Sequence, residues 1–227
     1  MKPLSGALTH AEPAGPGSLV VKICGLTRSE DVECCLQNGV DFLGFNFYPG
    51  SKRHISLDSA CRLIAQTSSQ SKAVAVVVNP APSLLEEILA SQSFAMIQFH
   101  GNESDSFCAR AGFPNWIKAL PAPAGGEGSI GQFSTPYILL DSSDQGQFGG
   151  TGKTFPWSIA ERLVRQFPAK RFFLAGGLHP ENVASAVQRV QPFAVDVAGG
   201  VESSPGIKDA SKIQSFISRA KAARTQA

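Results

Sequence analysis

The 227-residue sequence is short of several things, and each scarcity excludes a class of protein. Charged residues make up only 17% and the formal net charge is +2, while 43% of residues are hydrophobic. That balance is too apolar and too weakly charged for a disordered chain. A pI near 8.3 with the two signs mixed gives no basic footprint for nucleic acid. No apolar run approaches the roughly 18 residues of a membrane-spanning helix. Aromatic residues total 8%, with two Trp and two Tyr, which suits a core built on branched aliphatics. No H-x-H or H-E-x-x-H spacing is present, so no metal site is expected. The cysteines, Cys24, Cys34, Cys35, Cys61 and Cys108, are odd in number and form no C-x-x-C pair, which argues against a secreted disulfide framework. Residues 1–18 carry one base, Lys2, and no apolar stretch, so they read as a disordered tail and not as a secretory signal. The expectation is a cytoplasmic protein with reduced thiols.

What is present is a repeat. Short, nearly continuous apolar runs occur at 19–24, 42–47, 73–78, 96–100, 116–120, 137–141, 172–175 and 193–198. Runs of that length and pattern suit strands covered on both faces, as in parallel sheets. Helical patterns alternate with them at 29–38, 57–67, 82–91, 103–111, 156–167, 180–190 and 208–222. Pro82, Pro156 and Pro180 stand where a first helical residue, whose N–H has no partner to lose, would fall. Gly39 is placed as a helix stop. The glycine-rich stretch 121–134 predicts a poor or absent helix. Eight strands, all but one followed by a helical pattern, in about 210 residues predict an α/β fold, a single-domain (β/α)8 TIM barrel over 19–222, with tails at 1–18 and 223–227. An open doubly wound sheet is the competing reading, but it would usually carry G-x-G-x-x-G after its first strand, and Cys24-Gly25-Leu26-Thr27 stands there.

Barrel enzymes carry their chemistry at the C-terminal ends of the strands. Cys24, Arg53, His100, Asp141 and Asp196 all fall at or just after such ends. Each also has a plainer reading. Cys24 could be an apolar filler, Asp141 a turn residue, His100 a hydrogen-bonded strand end, and Arg53 part of a solvated basic loop. Asp196, inside an apolar run, must be paired or hydrogen-bonded, and a structural ion pair inside the barrel, with Lys22 as partner, is its plainer reading. The other four cysteines lie in helical patterns and read as packing residues. Gly176-Gly177 and Gly199-Gly200 follow the seventh and eighth strands, the two loops with which barrels often bind phosphate through backbone N–H groups. The glycine-rich segment 148–153 reads as a lid after the sixth strand.

Several segments together resemble one family. They are Val21-Lys22-Ile23-Cys24-Gly25-Leu26-Thr27, Gln98-Phe99-His100-Gly101-Asn102-Glu103, and Leu140-Asp141 followed by Phe148-Gly149-Gly150-Thr151-Gly152-Lys153-Thr154-Phe155. Further on stand Leu174-Ala175-Gly176-Gly177-Leu178 with Pro180, Asn182 and Val183, then Asp196-Val197, Gly200-Val201-Glu202, Pro205-Gly206 and Lys208-Asp209. The chain resembles the phosphoribosylanthranilate isomerases of tryptophan biosynthesis over about residues 19–218. The resemblance implies a cofactor-free (β/α)8 enzyme that converts N-(5-phosphoribosyl)anthranilate to 1-(2-carboxyphenylamino)-1-deoxyribulose 5-phosphate. It implies Asp141 as general acid and Cys24 as general base, which calls for a raised pKa at Asp141 and a lowered one at Cys24. It implies Arg53 for the anthranilate carboxylate, Gly176, Gly177 and Gly200 for the phosphate, and His100 and Asp196 lining the site. Expected partners are a phosphorylated small molecule, with no nucleic acid and no membrane, and the chain is expected as monomer or homodimer. The sequence departs from the family pattern at Pro156, at Ala198-Gly199 and within the third strand. Two rival functions are a histidine-pathway or dual-substrate sugar isomerase and a non-catalytic barrel that binds a phosphorylated ligand.

Overall fold

The eight apolar runs pair in sequence order and close on themselves. A computed structural model describes residues 18–67, 72–122, 130–142 and 155–225. In it the strands β1 (Val20–Cys24), β2 (Phe42–Asn46), β3 (Lys72–Val77), β4 (Met96–Phe99), β5 (Trp116–Pro121), β6 (Tyr137–Asp141), β7 (Arg171–Leu174) and β8 (Ala194–Val197) form a closed parallel barrel. β8 completes the ring by pairing Lys22 with Asp196 and Ile23 with Val197. The expected barrel is therefore the observed fold.

The near-continuous apolar character of the strands has a direct cause: both faces are buried. Alternation sends Val20, Phe42, Val74, Met96, Ile117, Leu139, Phe173 and Ala194 into the lumen. It sends Val21, Ile23, Leu43, Ala75, Ile97, Leu140 and Val195 against the outer helices. The floor of the lumen is more aromatic than the composition predicts. Phe42, Tyr137 and Phe193 all pack against Phe173, the last at a ring separation of 5.6 Å. These rings plug the base of the barrel.

Seven α-helices are described: α1 (Ser29–Gln37), α2 (Leu57–Ile64), α3 (Pro82–Ala90), α4 (Asp105–Ala109), α5 (Trp157–Gln166), α6 (Val183–Val190) and α7 (Ala210–Thr225). Ser56 and Ser104 cap α2 and α4 by accepting backbone N–H bonds. Gly39 follows α1 at φ +67°, a left-handed turn that suits glycine. Pro82 opens α3 as expected. Pro156 is instead the residue before α5, and Pro180 lies in a turn preceding α6, where the Asn182 side chain accepts the His179 N–H and donates to the Gly177 carbonyl. A larger departure follows β8. There a 3₁₀ turn (Gly199–Val201) leads into a hairpin of β9 (Glu202–Ser204) and β10 (Ile207–Lys208). Lys208, expected to open the last helix, is in a strand opposite Glu202, and α7 begins at Ala210 and runs past the boundary placed at 222. Residues 123–129, half of the 121–134 stretch, and all of the 148–153 segment read as a lid lie outside the described residues.

Candidate active site

On β1, alternation places Val20, Lys22 and Cys24 on one inward face. Lys22 Nζ lies 2.8 Å from Asp196 Oδ1 across the β1–β8 seam, with the lysine fully buried. Burial works against its charge, but Asp196 and Cys24, through their charges and hydrogen bonds taken together, raise the Lys22 pKa. Cys24 sits one layer above. Its register partner on β2 is Gly44, where an added Cβ would come within 2.9 Å of the Cys24 Sγ. A side chain at position 44 would therefore compete for the space of the thiol.

The titration of Cys24 runs against expectation. Burial pushes its thiol above the ordinary 9.0, and the neighbouring Asp196 adds to this. Lys22, which also hydrogen-bonds the sulfur, and Lys208 oppose the shift without reversing it. These surroundings favour the thiol over the thiolate, the reverse of the lowered pKa expected. Desolvation of a group nearly closed over by strands is the reason.

Arg53 reaches the same region from the loop after β2. Its Nε and Nη2 each donate to Glu202, to Oε1 and Oε2 respectively, at 2.7 Å. Glu202 Oε1 also accepts from Lys208 Nζ at 2.8 Å. Lys208 Nζ in turn donates to the backbone carbonyls of Cys24 at 2.7 Å and Ala198 at 3.1 Å. Burial works against the charge of Glu202, but the bond from Arg53 and the charge of Lys208 hold its carboxyl below the usual range. Two glycines make room for the arginine. At Gly25, with φ +75°, an added Cβ would lie 2.4 Å from Arg53 Cδ, and at Gly199 it would lie 3.2 Å from Nη2.

The far wall is built differently. Gln98 and His100 continue the inward face of β4, and Asp141 ends β6. Gln98 Nε2 lies 3.0 Å from His100 Nδ1, and His100 Nε2 lies 3.2 Å from Asp141 Oδ2. Asp141 Oδ1 accepts the Ser142 N–H at 2.8 Å. Behind this wall, Lys118 of β5 pairs with Glu103 at 2.6 Å and donates to the Gly101 carbonyl. Glu103 also accepts the N–H groups of Asn79 and Gly101, which ties down the loop that follows His100.

Between the walls lie the two glycine loops. Gly176 has φ +81°, and an added Cβ there would be 2.6 Å from the Ser142 nitrogen. At Gly200 it would be 1.9 Å from the Leu178 carbonyl oxygen. The two loops therefore meet backbone to backbone, which only glycine allows. Among the described residues no three His, Cys, Asp or Glu side chains are grouped as metal ligands. No helix among those residues is long and apolar enough to cross a membrane.

All the residues singled out from the sequence thus come to one end of the barrel: Cys24, Asp196 and Arg53 on one side, His100 and Asp141 on the other, Gly176, Gly177 and Gly200 between. Local sequence pattern does not reveal the placement of Glu202, Lys208, Gln98 and the Lys118–Glu103 pair at this end of the barrel. A lysine inside an apolar strand is the signal that could have found Lys118. Pro205-Gly206 before Lys208 is the signal that a hairpin turn, and not a helix start, stands there.

Comparison with known proteins agrees with this arrangement. A family model described as N-(5'phosphoribosyl)anthranilate (PRA) isomerase matches residues 21–219. The chain belongs to this family. A relative from Thiobacillus denitrificans, N-(5'-phosphoribosyl)anthranilate isomerase, is 43% identical over 205 residues, covering 89% of this chain and 98% of its own. A solved phosphoribosyl anthranilate isomerase in complex with reduced 1-(o-carboxyphenylamino)-1-deoxyribulose 5-phosphate is 35% identical, covers 90% of this chain and 99% of its own, and superposes with a TM-score of 0.77. A structure of monomers generated from the dimeric enzyme of Thermotoga maritima is 35% identical with the same coverage and a TM-score of 0.78.

Proposed function

We propose that this chain catalyses the Amadori rearrangement of N-(5-phosphoribosyl)anthranilate to 1-(2-carboxyphenylamino)-1-deoxyribulose 5-phosphate, with Asp141 as general acid and Cys24 as general base. Family membership carries the reaction. For the roles, the supporting observation is that Cys24 and Asp141 end strands three apart in the ring, β1 and β6, and face one mouth from nearly opposite sides. Acid and base must attack a sugar at different atoms, so they belong on different walls.

The neutral carboxyl of Asp141 protonates the furanose ring oxygen, and the sugar opens to a protonated Schiff base. Cys24, as thiolate, takes the C2′ proton, and the resulting enolamine tautomerises to the ketone. The thiolate is a minority form of a buried thiol, and Lys22 is its counter-ion. Being the conjugate base of a weak acid, it is correspondingly strong. His100 faces the carboxyl of Asp141, and Asp196 keeps Lys22 charged. Arg53 takes the anthranilate carboxylate through its remaining N–H groups. The backbone at Gly176, Gly177 and Gly200 receives the phosphate. No group outside the chain is needed to move these protons. The chain is expected as monomer or homodimer, and the dimeric Thermotoga maritima relative favours the homodimer.

The test is the fluorescence of phosphoribosylanthranilate, followed as it disappears on adding the purified chain. Steady loss with product formation is expected. No loss, with a folded protein by circular dichroism, would overturn the assignment.

A further inference from the structure

The carboxylate grip proposed for Arg53 poses a geometric problem. A guanidinium on a long, flexible stem binds a carboxylate well only if its planar fork is already aimed. In this structure the aiming is done by the hairpin after β8. Glu202 engages the Nε–Nη2 edge of Arg53 through both oxygens, which fixes the plane of the guanidinium. That leaves the Nη1 side: no partner of Nη1 is found among the described residues. The stem is confined beside Gly25 and the head beside Gly199.

We propose that Glu202 is the positioning residue of Arg53, and that through it the enzyme selects substrates carrying an aryl carboxylate. The proposal rests on the reading of Arg53 as the carboxylate grip. Three features support it. The first is charge. Glu202 is shared by Arg53 and Lys208, so two cations face one carboxylate and one unit of positive charge is left for an incoming anion. The second is register. Lys208 and Glu202 are opposite one another in the hairpin, so the backbone sets where the clasp sits. The third is the connection to the base. Lys208 also holds the carbonyls of Cys24 and Ala198. The distance from the carboxylate grip to the thiol is therefore fixed by one hydrogen-bonded unit, and not by two independent loops. Burial supplies the rigidity, since the side chain of Glu202 is only 5% exposed and that of Lys208 0%.

The experiment compares two competitive inhibitors: reduced 1-(o-carboxyphenylamino)-1-deoxyribulose 5-phosphate and its counterpart without the ring carboxylate. For Glu202→Gln the carboxylate-bearing compound should weaken about tenfold, and the other by less than about twofold, with the activity loss falling mainly on KM. Equal weakening of both compounds overturns the proposal, because a general loosening of the mouth would not discriminate. Glu202→Asp keeps the charge in the hairpin and only shortens its reach. It should show the same selectivity at smaller amplitude, and it carries the test if the glutamine variant does not fold; unchanged discrimination there is again fatal. Arg53→Ala separates the underlying reading. If it weakens both compounds equally, Arg53 does not hold the carboxylate. If it discriminates and neither Glu202 variant does, Arg53 keeps its role and Glu202 loses the one proposed here.

Discussion

The two walls of the barrel mouth solve opposite electrostatic problems. The wall at β8, β1 and β2 gathers Lys22, Lys208 and Arg53 around Asp196 and Glu202, every one in a buried or half-buried ion pair. The wall at β4 to β6 presents an imidazole and a backbone N–H to Asp141, with the Gln98 amide on the far nitrogen of that imidazole. A thiolate and a bound carboxylate both need positive charge nearby, and the first wall holds it in place. An acid that must give up a proton has to be aimed, and His100 and the Ser142 N–H hold the Asp141 carboxyl in place. The difference teaches that the residue named as base is not made basic by its own surroundings. Burial holds its proton on, and cations packed beneath and beside it make the charged form reachable.

Removing the reacting group of either wall is the largest way to break this comparison. Cys24→Ala and Asp141→Ala should each lower kcat/KM by about 10³- to 10⁴-fold, the range of a general acid or base, with circular dichroism unchanged. Near-wild-type turnover in either would refute the assigned roles.

The next effect falls on the cation-rich wall alone. Lys22→Met leaves Asp196 buried without its partner and should cost about 3–5 kcal/mol in urea denaturation. Adding Asp196→Asn should recover part of that loss. If the double variant is less stable than the single, the pair is not what holds the two strands in register.

The pH profile sharpens the contrast. The thiolate absorbance that is lost in Cys24→Ala should titrate above pH 9.0, because burial raises the thiol. A midpoint between pH 7 and 8 would show that Cys24 is not held protonated.

Two smaller tests touch the ground between the walls and the hairpin. Gly200→Ala must push a Cβ against the Leu178 carbonyl, so the two loops part and KM should rise about fivefold, near 1 kcal/mol. Acid should loosen the Glu202 clasp. Its carboxyl is held below the ordinary 4.5, so its contribution to stability is present above that value and is lost as pH falls through the lower folded value. Glu202→Gln should lack this component in pH-dependent denaturation.

Much of the fold was legible because strands and helices answer to local period. The eight apolar runs, the Pro82 helix start and the Gly39 stop can each be read from a few neighbouring residues. The β9–β10 hairpin was not, because 202–208 carries no alternating apolar pattern. Its shape comes from Glu202 and Lys208 meeting over a buried floor. Likewise the candidate acid and base could be picked out as polar residues at strand ends, but the state of Cys24 could not. Its shift depends on desolvation by β2 and on charges from β8 and β10, distant in sequence.

The sequence by itself determined the strand-helix repeat, the closed barrel it builds, and the end of that barrel where polar residues and glycine loops collect. Periodicity and turn chemistry act over a few residues and survive in a linear reading. Only the tertiary structure decided which charges share a carboxylate, which edge of Arg53 is spoken for, and whether the thiol keeps its proton. Those depend on burial and on distances between segments up to 184 residues apart, as between Lys208 and Cys24, which no local pattern encodes.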